Sequence, residues 1–405
     1  MSTGRTQYDI AVIGAGILGL AIAMNLTKKF PNKKIIVIEK ESGVAYHQTG
    51  HNSGVIHAGI YYSPGSQKAN FCSEGSKLLR KFADENNINY EMCGKVIVAS
   101  NEDQVPMLND FYKRGTENGA LGLEIIDKKR LNELEPHVTG VKAIWSPNTG
   151  IIDFKEVTNK YCSIMKENGG EIIFDSKVEK IDKLDGRHYI QTVSGEIVCE
   201  TLINCAGLYS DKIALMDGED IGVKIVPFRG EYWSLKPESQ YLVNGLIYPL
   251  PDPRMVFLGV HFTKRINGTV EAGPNAVLGF SREAYNKLDF SISETLDVFT
   301  FQGFWKMAFK YWKIGLYEQY RSLNKKSFVR SLQKLVPEVT EDDLGNPDAG
   351  VRAQAIDIKG NLLQDFSIAQ TKDAIHILNA PSPGASSSLA ISNYVVSLIS
   401  KIIDE

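Results

Sequence analysis

The sequence predicts a mixed α/β (α+β) fold, with a parallel βαβ unit at the start of the chain and an interleaved antiparallel sheet behind it. Three observations carry that expectation. The run Tyr8-Asp-Ile-Ala-Val-Ile13 is followed at once by glycines, by an apolar helical stretch through Leu26, and by a second run, Ile35-Ile-Val-Ile38. Both runs are continuously apolar rather than alternating, as buried parallel strands are. Residues 223–280 instead break into short apolar runs divided by Gly and Pro, the pattern of antiparallel strands and their turns.

The 405 residues give room for two domains, or for one large domain with an insertion. Hydrophobic residues make up 43% and charged residues 23%, ordinary globular usage. A net charge of −3 without any long Lys/Arg block argues against a nucleic-acid partner. The five cysteines (Cys72, Cys93, Cys162, Cys199 and Cys205) are odd in number and form no C-x-x-C pair. They point to a reducing compartment rather than a disulfide framework. No metal site is expected: the seven histidines are scattered, and His47 and His51, four apart, lie on a glycine-rich loop rather than one helical face. The first residues lack the apolar core of a signal peptide, and no apolar run reaches the roughly 18–20 residues that cross a bilayer. A soluble, cytoplasmic protein is expected, at most peripheral to the inner face of a membrane.

The first element carries a nucleotide site. Gly14-Ala-Gly16-Ile17-Leu18-Gly19 fits G-x-G-x-x-G, follows a strand, opens a helix, and is followed by Glu39 at the end of the second strand, with Lys40 next. That context makes a Rossmann-like dinucleotide fingerprint of an otherwise weak match. Gly14 allows the tight turn, Gly16 the approach of a pyrophosphate to backbone, and Gly19 the close packing of helix on strand. The helix start offers free N–H groups and a positive dipole end to phosphates, and Glu39 an acceptor to a ribose. A nicotinamide enzyme would continue with regular βα units through about 150 residues. This chain instead enters a loop, residues 46–64, rich in Gly, Ser, His and Asn, and its sheet resumes only near Val178 and Ile203. Long loops in compact domains are usually functional. Sheets that leave and return suit a cofactor closed over by distant segments, hence FAD rather than NAD.

Further along, a helix is expected near 68–86 and mixed strand and helix to Trp145. Strand-like runs at 171–203 lead into Cys205-Ala206-Gly207. Residues 282–345 look helical, and the chain closes with a strand at 374–378, the turn Pro381-Ser-Pro383-Gly384-Ala385-Ser386-Ser387-Ser388, and a terminal helix.

The loop Thr49-Gly-His51-Asn52-Ser53-Gly-Val-Ile-His57-Ala-Gly-Ile-Tyr61-Tyr62 resembles the flavin-side loop of the D-amino-acid oxidase superfamily, and in detail the L-2-hydroxyglutarate dehydrogenase/oxidase family. Matches run nearly end to end: Cys93-Gly-Lys, Gly150-Ile-Ile-Asp153, Cys205-Ala-Gly-Leu-Tyr-Ser-Asp211, Val226-Pro-Phe-Arg-Gly230, Phe257-Leu-Gly-Val-His-Phe262, Gly273-Pro-Asn-Ala-Val277, Gly350-Val-Arg-Ala-Gln354 and Asn379-Ala-Pro-Ser-Pro383. The resemblance implies an FAD domain, a substrate domain centred on a sheet, and oxidation of L-2-hydroxyglutarate to 2-oxoglutarate without nicotinamide. Electrons would pass to a quinone, dioxygen or an electron-transfer protein. Related flavin chemistry on an amino acid, an amine or glycerol-3-phosphate is the nearest alternative, and a non-catalytic flavin-binding module the next. The FAD domain is placed at 1–85, 145–215 and 345–405, and the substrate domain at 86–144 and 216–344.

Oxidising a 2-hydroxy acid requires a hydride acceptor, a base for the hydroxyl proton and cations for the carboxylates. His57 and His261 are the candidate bases, since histidine accepts a proton near neutral pH. His261 is expected at the end of a strand, after the apolar run 255–260, and His51 is expected to organise the flavin loop together with Asn52 and Ser53. Arg229 and Arg352 sit between Gly and apolar residues, where an arginine needs an anionic partner; a substrate carboxylate and a structural ion pair are both open. Tyr61 and Tyr62 are candidate hydroxyl donors. The turn 383–387 is expected to open the last helix and to face the flavin's pyrimidine edge. In residues 301–317, Lys306, Lys310 and Lys313 share a helical face amid aromatics. Two readings stand there: an interfacial membrane helix, and a helix packed on the core with its lysines outward.

Overall fold

In the computed structural model, which describes residues 6–252 and 257–404, the first strand has no solvent face from Ile10 onward. Ile10, Ala11 and Val12 of Thr6–Ile13 are buried, and the strand lies between two parallel neighbours, Gly195–Asn204 and Ile35–Ile38. Glu171–Ile173 extends the sheet beyond Ile35–Ile38, and the antiparallel pair Val178–Leu184 and Arg187–Thr192 extends it beyond Gly195–Asn204. Ala374–Asn379 joins Gly195–Asn204 in parallel near Asn204. The chain therefore leaves this sheet after residue 38 and returns to it from more than 130 residues away. On one face the helix Ile17–Lys29 packs Leu20, Ile22 and Met24 against Val157 and Tyr161 of Phe154–Glu167 and Ile391 and Val395 of Ser388–Asp404. Burying side chains of this size stabilises by about 1.5–3 kcal/mol each.

The second sheet is built around Val223–Leu235. Leu344–Asp357 runs antiparallel along its whole length, from Val223 opposite Asp357 to Leu235 opposite Leu344. On the other side lie Val270–Gly273 and Val277–Leu278, followed in order by His261–Lys264, Leu246–Pro249, Lys95–Ala99, Lys142–Ser146 and Glu124–Asp127. This corrects two expected boundaries. Residues 345–357, and Trp145 and Ser146 at the end of a strand whose first three residues lie where expected, belong to the second sheet, not the first. Neither is recognisable from its own pattern, because the partner strand sets the sheet a strand joins.

Two further corrections are local. His261 begins its strand instead of ending one; Met255 and Val256 of the apolar run lie outside the described residues. The terminal helix starts at Ser388, so residues 383–387 form a turn leading into it. The helical segment resolves into Ile292–Phe299, Gln302–Leu323 and Lys325–Leu332. Among the described residues no helix is long and apolar enough to cross a membrane. All five cysteines carry free thiols.

Candidate active site

The glycine turn is tight because two backbones occupy the space a side chain would need. A Cβ on Gly19 would stand 1.9 Å from the Gly14 carbonyl oxygen, and one on Gly14, which has φ of +104°, would stand 2.5 Å from the Cys205 carbonyl oxygen. At Gly16, the residue before the helix, a Cβ would meet only Thr49 Oγ1, at 3.3 Å, so the approach to the helix start is open. Glu39 is fixed by backbone: Ala15 N–H donates to one carboxylate oxygen at 2.6 Å and Glu41 N–H to the other at 3.0 Å. Thr49, which sequence reasoning missed, accepts from Ile17 N–H at 3.0 Å and so ties the loop to the first helical turn.

One cavity of about 1240 Å³ contains both this turn and the loop beyond it. Drug-sized ligands fill about 300–1,000 Å³, so a small acid alone would leave most of it empty. Gly14, Gly16, Ile17, Leu18, Glu39, Val178, Ala206 and Gly207 line it, as do His51, Asn52, Ser53 and the turn Pro383, Gly384, Ala385 and Ser386. The volume, the open helix start and the oriented carboxylate fit an adenine dinucleotide carrying a flavin. One expected contact falls elsewhere. Ser387 packs beneath the cavity, against Gly75, where a Cβ would meet Ser387 Cα at 2.6 Å. Lys40 lines the cavity, but its ammonium is bonded to Glu41, to Glu283 at 2.6 Å and to His47 Nε2 at 2.8 Å. Glu41, His47 and Glu283 stand close enough together to hold a metal ion, and the Lys40 ammonium is the cation they hold. His51 packs on Tyr285, ring centroids 4.5 Å apart, and Asn52 Oδ1 accepts from Gly54 N–H at 2.8 Å, which fixes the loop's bend.

His57 and His261 open on the same cavity. The His57 backbone N–H donates to Ser386 Oγ at 3.2 Å, and Ser382 Oγ lies 3.2 Å from its Nε2. The terminal turn thus holds the His57 loop in place. His261 Nδ1 lies 2.9 Å from the Gly259 carbonyl, which can only accept. The proton therefore sits on Nδ1, and Nε2 keeps its lone pair. Its ring packs on Tyr248 at 4.0 Å. Burial pushes the His57 pKa down to about 3, with the charges of Lys95, His261 and Lys68 adding to the effect. Burial likewise takes His261 to about 4, against the pull of the Gly259 hydrogen bond. Both rings are neutral at neutral pH and able to accept a proton.

The two arginines separate. Arg352 lines the cavity, with its guanidinium 4.8 Å from the Phe257 ring and one weak bond, 3.3 Å, to the Asn275 carbonyl. Among the described residues it has no carboxylate partner. Arg229 does not reach the cavity, which corrects its expected role: it bonds Glu231 at 3.0 Å and the Asn286 carbonyl at 2.8 Å. Register explains the difference. Arg352 lies opposite Phe228 and Arg229 opposite Val351, so the arginines point to opposite faces of the sheet. Tyr61 and Tyr62 line the cavity; among the described residues the buried Tyr61 hydroxyl has no partner, and burial raises the pKa of both. Lys68, at the start of the helix Gln67–Glu85, is a cavity cation that sequence reasoning missed.

Comparison with known proteins is consistent with this geometry. The profile of the FAD dependent oxidoreductase family matches residues 9–398. The chain is 49% identical to L-2-hydroxyglutarate dehydrogenase of Indibacter alkaliphilus, over 96% of this chain and 98% of that protein. It is 43% identical to the mitochondrial L-2-hydroxyglutarate dehydrogenase of Homo sapiens, over 97% and 89%. Among solved structures, the FAD-bound L-alpha-glycerophosphate oxidase from Mycoplasma pneumoniae superposes with a TM-score of 0.80 at 21% identity, covering 98% of this chain and 95% of that one. Glycine oxidase from Geobacillus kaustophilus gives 0.73 at 15% identity, over 98% and 95%.

Proposed function

The chain belongs to the FAD-dependent oxidoreductase family, among the L-2-hydroxyglutarate dehydrogenases, and from that membership we propose that it oxidises L-2-hydroxyglutarate to 2-oxoglutarate. The observation that carries the reading is one cavity joining the glycine cradle to two neutral histidines and an arginine without a counter-ion. FAD, when bound, supplies the acceptor for the hydride that leaves C2. The chain supplies the rest. Arg352 holds a substrate carboxylate, its planar fork matching the two oxygens. His261 takes the hydroxyl proton on Nε2, the nitrogen its bond to Gly259 leaves free. His57, bonded to Ser382, steadies the substrate oxygen from the other ring, and the Tyr61 hydroxyl is available to a second carboxylate. Loss of hydride and proton turns the C2 alcohol into the ketone.

Amine or glycerol-3-phosphate chemistry on the same fold, and a flavin module without catalysis, are separated from this reading by an anaerobic substrate panel. Bleaching of the bound flavin by L-2-hydroxyglutarate, but not by sarcosine, D-alanine or glycerol-3-phosphate, is expected. Bleaching by one of those alone, or by no substrate, overturns it.

For the electron acceptor we favour a quinone met at a membrane surface. Support comes from Gln302–Leu323, where Trp305, Phe309, Trp312 and Leu316 are exposed beside Lys306, Lys310 and Lys313. Leu288, Phe290 and Ile292 add exposed apolar surface nearby in sequence. Apolar rings among lysines suit an anionic lipid surface. Flotation with anionic liposomes, lost on changing the three lysines to glutamate, is the expected result; a protein that stays wholly unbound refutes it.

A further inference from the structure

Lys95 is anomalous among the charged groups near the site. It opens Lys95–Ala99, a strand in the interior of the second sheet, between Leu246–Pro249 and Lys142–Ser146. Its side chain is 1% exposed. Among the described residues no carboxylate or carbonyl accepts from its ammonium, which lies 4.8 Å from the Tyr61 ring centroid and 5.1 Å from that of Tyr248. Both rings line the cavity. An unpaired buried ammonium is costly, and the faces of two tyrosines offset only part of that cost. A methionine would fill the same space without penalty.

We propose that Lys95 is a positioning residue of the reaction: its ammonium, lodged behind Tyr61 and Tyr248 without a counter-ion, supplies the fixed positive charge that draws and orients an anionic substrate over the two histidines. The inference rests on the reading of the cavity as a 2-hydroxy acid site and deepens it. Arg352 meets a carboxylate directly; Lys95 acts from behind the wall, in surroundings where charge is poorly screened. The charge has a second effect. The titratable and charged groups around the histidines are Lys95, Lys68 and the other histidine for His57, and Arg352 and Lys95 for His261. Lys95 is common to both and disfavours a proton on either ring. Around Lys95 itself stand Tyr61, Cys72, Tyr248, His57 and His261, of which no carboxylate is a member. Burial pulls the Lys95 ammonium down to about 8. A cation lowered in the folded state destabilises the fold while protonated, and that penalty lifts as pH rises through about 8.

The test uses FAD-loaded protein carrying Lys95→Met, with Lys95→Arg and Lys95→Gln beside it. Glutarate, which lacks the reacting hydroxyl, is titrated by flavin absorbance and calorimetry. The expected result for Lys95→Met is a higher Tm than wild type at pH 7 and glutarate affinity about tenfold weaker. The acid limb of kcat/KM should move up by about one pH unit. Lys95→Arg is expected to recover most of the affinity, and Lys95→Gln to follow Lys95→Met if the methionine form loses flavin. A fall in Tm, or glutarate affinity within about twofold of wild type, overturns the proposal and makes Lys95 a packing residue. Failure of the wild type to be bleached by L-2-hydroxyglutarate refutes the substrate assignment instead, a separate outcome, since glutarate binding is read without turnover.

Discussion

The two parts of the cavity are built from different material. The dinucleotide part is mostly backbone: an open helix start, two glycines whose missing side chains make room for other backbone, and a carboxylate aimed by main-chain N–H groups. The part proposed to react is mostly side chain: two neutral histidines, an arginine and a tyrosine hydroxyl that find no counter-ion and no hydrogen-bond partner respectively among the described residues, and a lysine behind two rings. Backbone chemistry tolerates no change of shape but little depends on charge. Side-chain chemistry keeps its shape under substitution and loses its electrostatics.

Substitutions in each part should therefore fail differently, and the largest failure belongs to the backbone part. Gly19→Val places carbon 1.9 Å from a carbonyl that cannot move without the strand, and the purified protein is expected to be colourless, as its flavin-to-protein ratio would report. A yellow Gly19→Val protein would break the comparison. In the reacting part, His261→Gln should keep the flavin and lose about 10²–10⁴ in kcat, measured by anaerobic stopped flow. The wild-type acid limb sharpens this point. A protonated imidazole accepts nothing, so with the rings at about 3 and about 4 activity should hold level through neutral pH and fall only as pH drops through about 4. A fall centred near 6.5, the ordinary histidine value, would mean water reaches the rings.

The arginine pair gives a smaller and cleaner contrast. Arg352→Met should weaken kcat/KM by roughly a hundredfold, about 3 kcal/mol, with little change in Tm. Arg229→Met should leave KM alone and destabilise by about 3 kcal/mol, because buried Glu231 loses its close guanidinium at 3.0 Å and keeps only Lys287, 3.6 Å away, as a cation. Steady-state kinetics beside thermal melts decides between them, and reversed results would exchange the roles of the two. The smallest effect is expected for Thr49→Val, which removes the acceptor for Ile17 N–H and should cost about 1 kcal/mol, read as flavin affinity weakened severalfold.

The same division separates what could be read in the sequence from what could not. Gly14, Gly16, Gly19 and Glu39 are spaced by local geometry, so a pattern in consecutive residues implies their arrangement in space. His57 and His261 are legible as residue types in loops beside apolar runs, but their neutrality follows from burial that no local pattern states. Arg229 and Arg352 look alike in sequence, each flanked by glycine and apolar residues. What divides them is a one-residue offset in register between strands more than 100 residues apart, which turns one side chain to the cavity and the other away. Lys95 hides for a related reason: a lysine at a strand's start reads as a solvated charge until the strand is known to be interior. The expected boundary at 345 failed similarly, since Leu344–Asp357 takes its sheet from Val223–Leu235 and not from its own composition.

The buried pair of Arg282 and Asp211 has a consequence for anyone cutting this chain in two. The Arg282 guanidinium meets both oxygens of Asp211, at 2.5 and 2.8 Å, and also bonds the Leu208 carbonyl, which adjoins Gly207 at the cavity wall. One ion comes from the segment beside the first sheet and the other from the loops beyond the second. A cut between the two would take the guanidinium from Asp211 and leave Arg282 with only Asp297, 3.3 Å away, and the wall beside Gly207 would lose its brace. Reassembly of fragments should consequently be all-or-none, with neither piece a working half.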